Sequence, residues 1–130
     1  MCGIVGLYLK KTNLFDQIGE LFSTMLVCLS SRGPDSAGFA IFGNEPPASY
    51  IKVTLRHDEE NYDWQILSDE LSQHFEFQPQ LHTNSNYAVI AVPAQETDIR
   101  RVLQDLDASV NVMSVGRSIE IFKEIGSPQS

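Results

Sequence analysis

At 130 residues the chain suits one domain or one compact part of a larger one. With 42% hydrophobic and 20% charged residues it can fill a packed core, which excludes a disordered polar chain. Seventeen acidic residues against nine basic ones give a net charge of −8, a surface that repels phosphate backbones and anionic lipid heads. Arg100-Arg101 is an isolated basic pair, so neither a nucleic-acid partner nor a membrane partner is expected.

No run approaches the ~20 apolar residues that span a bilayer. Lys10-Lys11 follow the first apolar run, whereas a secretory signal puts its charge first. The expectation is a soluble cytoplasmic protein. Two cysteines, Cys2 and Cys28, are too few for a disulfide framework.

In chain order, residues 3–9 form a short apolar run that reads as a buried strand. Thr12-Asn13 offer a helix cap, with Asp16 in the first turn. Leu14, Ile18, Leu21, Phe22, Met25, Leu26 and Leu29 then recur at helical spacing as one apolar stripe. Pro34 ends that helix, and Gly33 before it can take a left-handed turn.

Residues 37–42 read as a second strand. Residues 50–55 alternate, Ile51, Val53 and Leu55 against Tyr50, Lys52 and Thr54, as in a half-exposed strand. Trp64, Leu67, Leu71 and Phe75 define a second helix with Trp64 as its core anchor. Residues 79–85 are polar and read as a loop, 87–92 as a strand closed by Pro93, and 95–107 as a third helix. Residues 109–113 and 119–122 read as further strands, and 126–130 as a polar tail. Helix and strand alternate, which gives an α/β or α+β class. Residues 49–113 read as a βαβαβ subdomain set between core strands.

Cys2 follows the initiator methionine directly. Removal of Met1 would leave a thiol beside a free α-amino group. The attacking species at sulfur is the thiolate. An α-amine with a pKa of ~7.7–8.0 is partly neutral near physiological pH and can take that proton. The nucleophile would carry its own base, as in the threonine–N-terminal-amine pairing. Position alone is a weak argument, since a second-position cysteine needs no catalytic role. The string Arg32-Gly33-Pro34-Asp35-Ser36-Ala37-Gly38 reads most simply as a helix-to-strand connection whose small residues permit a close approach of backbone.

Taken together, Met1-Cys2-Gly3-Ile4-Val5-Gly6 and residues 32–38, with an amphipathic helix between them, resemble the opening of class II glutamine amidotransferases. These are N-terminal nucleophile hydrolases. The match runs over residues 1–43 and more loosely over the last dozen, in the manner of the glutamate-synthase-like branch that includes the N-methylglutamate synthase amidotransferase subunits.

The resemblance implies an α+β fold, the αββα four-layer sandwich. Residues 1–130 would form the N-terminal part of the amidotransferase domain, incomplete and with 49–113 as a small α/β insertion. It implies that Cys2 attacks the side-chain amide of glutamine, that a glutamyl thioester forms, and that ammonia passes to a partner synthase subunit or domain. No cofactor and no metal are implied. Gly3, Arg32, Gly33, Asp35 and Ser36 are carried over as substrate-binding or site-adjacent.

The sequence departs from the family in lacking three later strings. These are a Gly-His-Thr-Arg type motif for the substrate carboxylate, an Asn-Gly oxyanion hole, and an aspartate for the substrate amine. A truncated enzyme with little activity of its own is therefore expected. The rival reading is a non-catalytic remnant serving assembly or regulation. Cys28 is expected as a buried structural thiol on the first helix. His57, His74 and His82 have no metal-ligand spacing, and Asp58-Glu59-Glu60 read as a solvated loop.

Overall fold

In a computed structural model of the chain, residues 2–127 are described. Met1, on which the processing expectation rests, and residues 128–130 of the polar tail lie outside them. Two compact units divide the chain: one holds the described residues up to Phe39 and those from Lys123 on, the other Ala40–Phe122. The elements are α-helices α1 (Ile18–Val27), α2 (Trp64–Phe75) and α3 (Glu96–Leu106), with strands β1 (Ser36–Phe42), β2 (Ile51–Arg56), β3 (Gln80–Asn84), β4 (Tyr87–Val92), β5 (Asn111–Gly116) and β6 (Ile119–Ile125). Among the described residues the chain is thus mixed α/β, with two sheets and three α-helices. No helix among the described residues is long and apolar enough to cross a membrane.

The larger unit is built on a four-stranded sheet of order β3-β4-β2-β5, antiparallel throughout. With α2 and α3 as its two crossovers, it has the βαββαβ, ferredoxin-like order of elements. Strand β3 corrects the expected loop at 79–85, and with it the expected βαβαβ order. Only Leu81 in Gln80–Asn84 is apolar, because β3 is an edge strand that pairs with β4 alone. The β3–β4 connection is tight, with Ser85 at φ 51. Strand β5 starts two residues later than expected and bulges opposite Thr54 and Leu55.

One sheet face packs on the helices. Val53 and Leu55 of β2 and Ala88, Ile90 and Val92 of β4 meet Leu67, Leu71, Ile99, Val102 and Leu103 in one core. Helix α2 starts at Trp64 because the Asp63 carboxylate caps it, accepting from the Gln65 N–H at 3.0 Å. Trp64 is buried, with its ring edge-on to Tyr62 at 4.7 Å.

The other face corrects the expectation of a half-exposed β2. Lys52 is 8% exposed and Thr54 fully buried. The early part of β6 covers them: Glu120 pairs with Lys52, the Ile121 N–H donates to Ser114 Oγ at 3.2 Å, and Phe122 tilts on Tyr87 at 5.2 Å. Alternation predicted water on that face because the sequence does not announce its second cover.

A polar lock joins two loops of this unit. His57, buried, stacks on Tyr62 at 4.1 Å and bonds Ser109 Oγ through Nε2 at 2.8 Å. Tyr62 Oη donates to Asp107 Oδ2 at 2.8 Å, and Ser109 Oγ to Asp107 Oδ1 at 2.5 Å. Burial and the Asp107 carboxylate push the Tyr62 hydroxyl above the ordinary tyrosine range. The Ser109 and Tyr62 hydroxyls hold Asp107 below the ordinary carboxylate range.

The smaller unit is less buried. Residues 2–11 have no regular structure, which corrects the strand expected at 3–9; Ile4 is 96% exposed. That segment forms no backbone ladder with another strand, and an apolar run without a ladder is not a sheet strand. A 3-10 turn (Thr12–Gln17) precedes α1, and neither start is capped by a side chain, so Thr12 and Asn13 do not cap. No residue of α1 is fully buried, although its apolar stripe is present as expected. Strands β1 and β6 pair antiparallel: Gly126 N–H donates to Asp35 O in this unit, and Gly43 N–H to Ser118 O in the larger one.

Leu71→Ala is expected to lower unfolding free energy by about 2–5 kcal/mol, whereas Ile4→Ala should change it by less than about 0.5 kcal/mol; urea denaturation midpoints at constant m-value would check both. The raised Tyr62 hydroxyl stabilises the fold in full below the unfolded tyrosine pKa of ~10 and loses that contribution as pH rises further. Tyr62→Phe should therefore flatten the decline of stability above about pH 10, read from urea midpoints across the alkaline range.

Candidate functional site

The smaller unit contains a cleft of about 280 Å³ lined by Cys2, Gly3 and the whole of residues 32–38, with Leu26, Leu29 and Ser30 on its helical side. All six residues singled out from sequence, Cys2, Gly3, Arg32, Gly33, Asp35 and Ser36, therefore border one cavity. They are brought there by local events. Helix α1 ends at Val27, and its last turn tightens, with Leu29 N–H donating to Leu26 O and Arg32 N–H to Leu29 O at 3.0 and 2.9 Å. The turn Ser30–Arg32 then leads into β1.

Gly3 has a steric reason. A Cβ there would stand 3.3 Å from Cβ and both methyls of Leu29, tighter than most real contacts. Glycine lets the segment carrying Cys2 lie against the end of the helical region. Gly33 has no such reason: a Cβ would meet nothing within 4 Å, and its φ of −153 is extended backbone rather than the left-handed turn expected. Asp35 is fixed through its carbonyl, which accepts from Gly126 N–H at 3.0 Å.

The Cys2 side chain is exposed, and it sits on an irregular segment rather than on the rigid strand expected for it. Cys28 is also exposed and free, which corrects the buried thiol expected on α1. The cleft offers a thiol, a guanidinium, a carboxylate and hydroxyls, and its lining includes no histidine. Among the described residues no three His, Cys, Asp or Glu side chains group to hold a metal.

One other set resembles a nucleophile with a base, the chain His57–Ser109–Asp107. Its protons run the wrong way. The Glu59 backbone N–H donates to His57 Nδ1 at 3.0 Å, so the neutral ring carries its proton on Nε2 and donates to Ser109. The Ser109 hydroxyl in turn donates to Asp107. An imidazole already protonated on the serine side cannot deprotonate it, so the set is a loop lock.

Two residues escaped sequence reasoning. Arg117 reaches the carbonyls of Pro46, Ala48 and Tyr50 at 3.1, 3.0 and 3.1 Å and the Glu45 carboxylate at 3.1 Å, fastening the loop over 45–50. Lys52 lies buried in the middle of β2. The only signal for it is a charge inside an otherwise strand-forming run.

Comparison with known proteins bears on the cleft. Over 130 residues the chain is 39% identical to the Glutamine amidotransferase-like protein GlxB of Rhizobium meliloti, a match covering 99% of this chain and 42% of that protein. It is 28% identical over 135 residues to a protein of Methanothermobacter thermautotrophicus named "Putative glutamine amidotransferase", covering 98% and 44%. The chain thus spans less than half the length of the curated relatives it matches. No protein-family model matches it, and no solved structure does. Its relatives by sequence are proteins named for glutamine amidotransfer.

Proposed function

We propose that the chain is the nucleophile-bearing part of a class II glutamine amidotransferase, with Cys2 as the nucleophile. The observation that carries this reading is the shared cleft: Cys2 and residues 32–38, far apart in sequence, line one cavity. The names of the relatives supply the substrate, glutamine.

With Met1 removed, the α-amine takes the thiol proton and the thiolate attacks the side-chain amide carbon of glutamine. The C–N bond breaks as the ammonium returns its proton to the leaving nitrogen, releasing ammonia and leaving a glutamyl thioester. Water, deprotonated by the same amine, attacks the thioester, the C–S bond breaks, and glutamate leaves. Arg32 and Asp35 place a cation and an anion in the lining beside Cys2, as site-adjacent residues. Ammonia would go to a synthase subunit or domain, glutamate-synthase-like in type.

The αββα sandwich belongs to this proposal, with residues 49–113 as its insertion. This chain lacks the Asn-Gly and Gly-His-Thr-Arg type strings that would supply an oxyanion hole and a carboxylate clamp. Loss of one oxyanion donor costs ~10²–10³ in rate, so the 130-residue chain by itself should turn over little glutamine. That absence of later strings is also what favours the second reading, a non-catalytic remnant of the fold.

The test is ammonia release from glutamine by the full-length protein. Cys2→Ser should lower it by about 10³-fold or more, with Cys28→Ser close to the parent. Equal activity of the parent and Cys2→Ser would rule out Cys2 as the nucleophile. An inactive parent with Met1 removed would favour the remnant.

A further inference from the structure

The face of the four-stranded sheet turned away from α2 and α3 holds a second cleft, of about 440 Å³, within the range of small-molecule sites. It lies wholly in the larger unit and shares no residue with the Cys2 cleft. Small side chains open it: Ala91 and Val89 of β4 stand opposite Gln80 and His82 of β3, and Ala91 opposite Lys52 of β2. The Lys52–Glu120 ion pair lines one side, and His82, exposed on the edge strand, lines the other.

The pair is held in place. A Cβ on Gly43 would lie 3.3 Å from both Lys52 Nζ and Glu120 Oε1, so the backbone there closes on the two charges. Burying Lys52 to 8% exposure is costly unless its donors are used. An ammonium has three donors, and among the described residues the one side-chain acceptor it meets is Glu120 Oε1. Two donors remain for something in the cleft. The second Glu120 oxygen is an acceptor beside them.

The charge balance selects the ligand. Lys52 is matched by Glu120, and Glu45, also in the lining, by Arg117 at 3.1 Å. A plain anion would meet Glu120 and a plain cation would meet Lys52. A molecule with both charges a few bonds apart meets each with its opposite. We propose that this cleft binds a small zwitterionic α-amino acid, its carboxylate on the spare Lys52 donors, its ammonium on Glu120, and its side chain over Ala91 toward His82. The site is separate from the proposed glutaminase chemistry and stands or falls without it.

The test is a heteronuclear NMR titration of the chain carrying Cys2→Ala, which prevents turnover at the other cleft. The standard L-amino acids are added one at a time, with acetate and methylamine as single-charge controls. At least one amino acid should give saturable shifts at the Lys52, His82 and Ala91 amides, with affinity at least about tenfold above both controls. Lys52→Met should weaken that binding by at least about tenfold. Ala91→Leu, which fills the floor and keeps the ion pair, should do the same, and it carries the test should Lys52→Met fail to fold. Amino acids that bind no better than acetate and methylamine, shifts confined to residues around Cys2, or undiminished binding by Ala91→Leu would each overturn the proposal.

Discussion

Strand β2 is hydrogen-bonded on both edges, to β4 and to β5, and buried on both faces. A strand so placed must satisfy two environments with alternate residues. Val53 and Leu55 meet the apolar helices, while Lys52 and Thr54 turn to the covered second face. The buried ammonium requires an anion, and Glu120 on β6 supplies it. Gly43 is small where that pair passes, and Arg117 fastens the neighbouring loop. Much of the larger unit is thus arranged around one strand with no exposed side.

The smaller unit follows another logic. Its helix α1 carries a full apolar stripe and buries none of it completely, and its N-terminal run is open. Order at its cleft comes from short-range geometry: the tightened end of the helix, the absent side chain at Gly3, and the bond between Gly126 and Asp35. These suffice to bring a cysteine from the second position beside a segment thirty residues later without a hydrophobic core beneath it. An exposed thiol is open to reagents from solvent.

Sequence reasoning reached the helices best. Periodicity located α2 and α3 nearly to the residue because each buries one clear stripe, Leu67 and Leu71 or Ile99, Val102 and Leu103. It failed at β3, whose polar residues reflect an edge position, and at Lys52, where alternation cannot tell a solvated face from one covered by a distant strand. It failed at residues 3–9 because apolar composition says nothing of whether a ladder partner is at hand. The candidate site was legible for a different reason: two strings that resemble a known family drew Cys2 and residues 32–38 together before any contact was visible. Arg117 was not legible, since its role is set by carbonyls whose positions only the fold defines.

Two free and exposed cysteines make the decisive measurement self-controlled. Intact mass first reports whether Met1 is removed. The processed chain is then treated with a glutamine-like diazo-ketone, and the adduct is mapped with and without excess glutamine. If Cys2 is a nucleophile in a glutamine cleft, one adduct forms on Cys2, Cys28 stays unmodified, and glutamine slows the labelling. Equal labelling of Cys2 and Cys28, or labelling of Cys2 that glutamine leaves unchanged, would contradict the account and reduce Cys2 to an ordinary surface thiol.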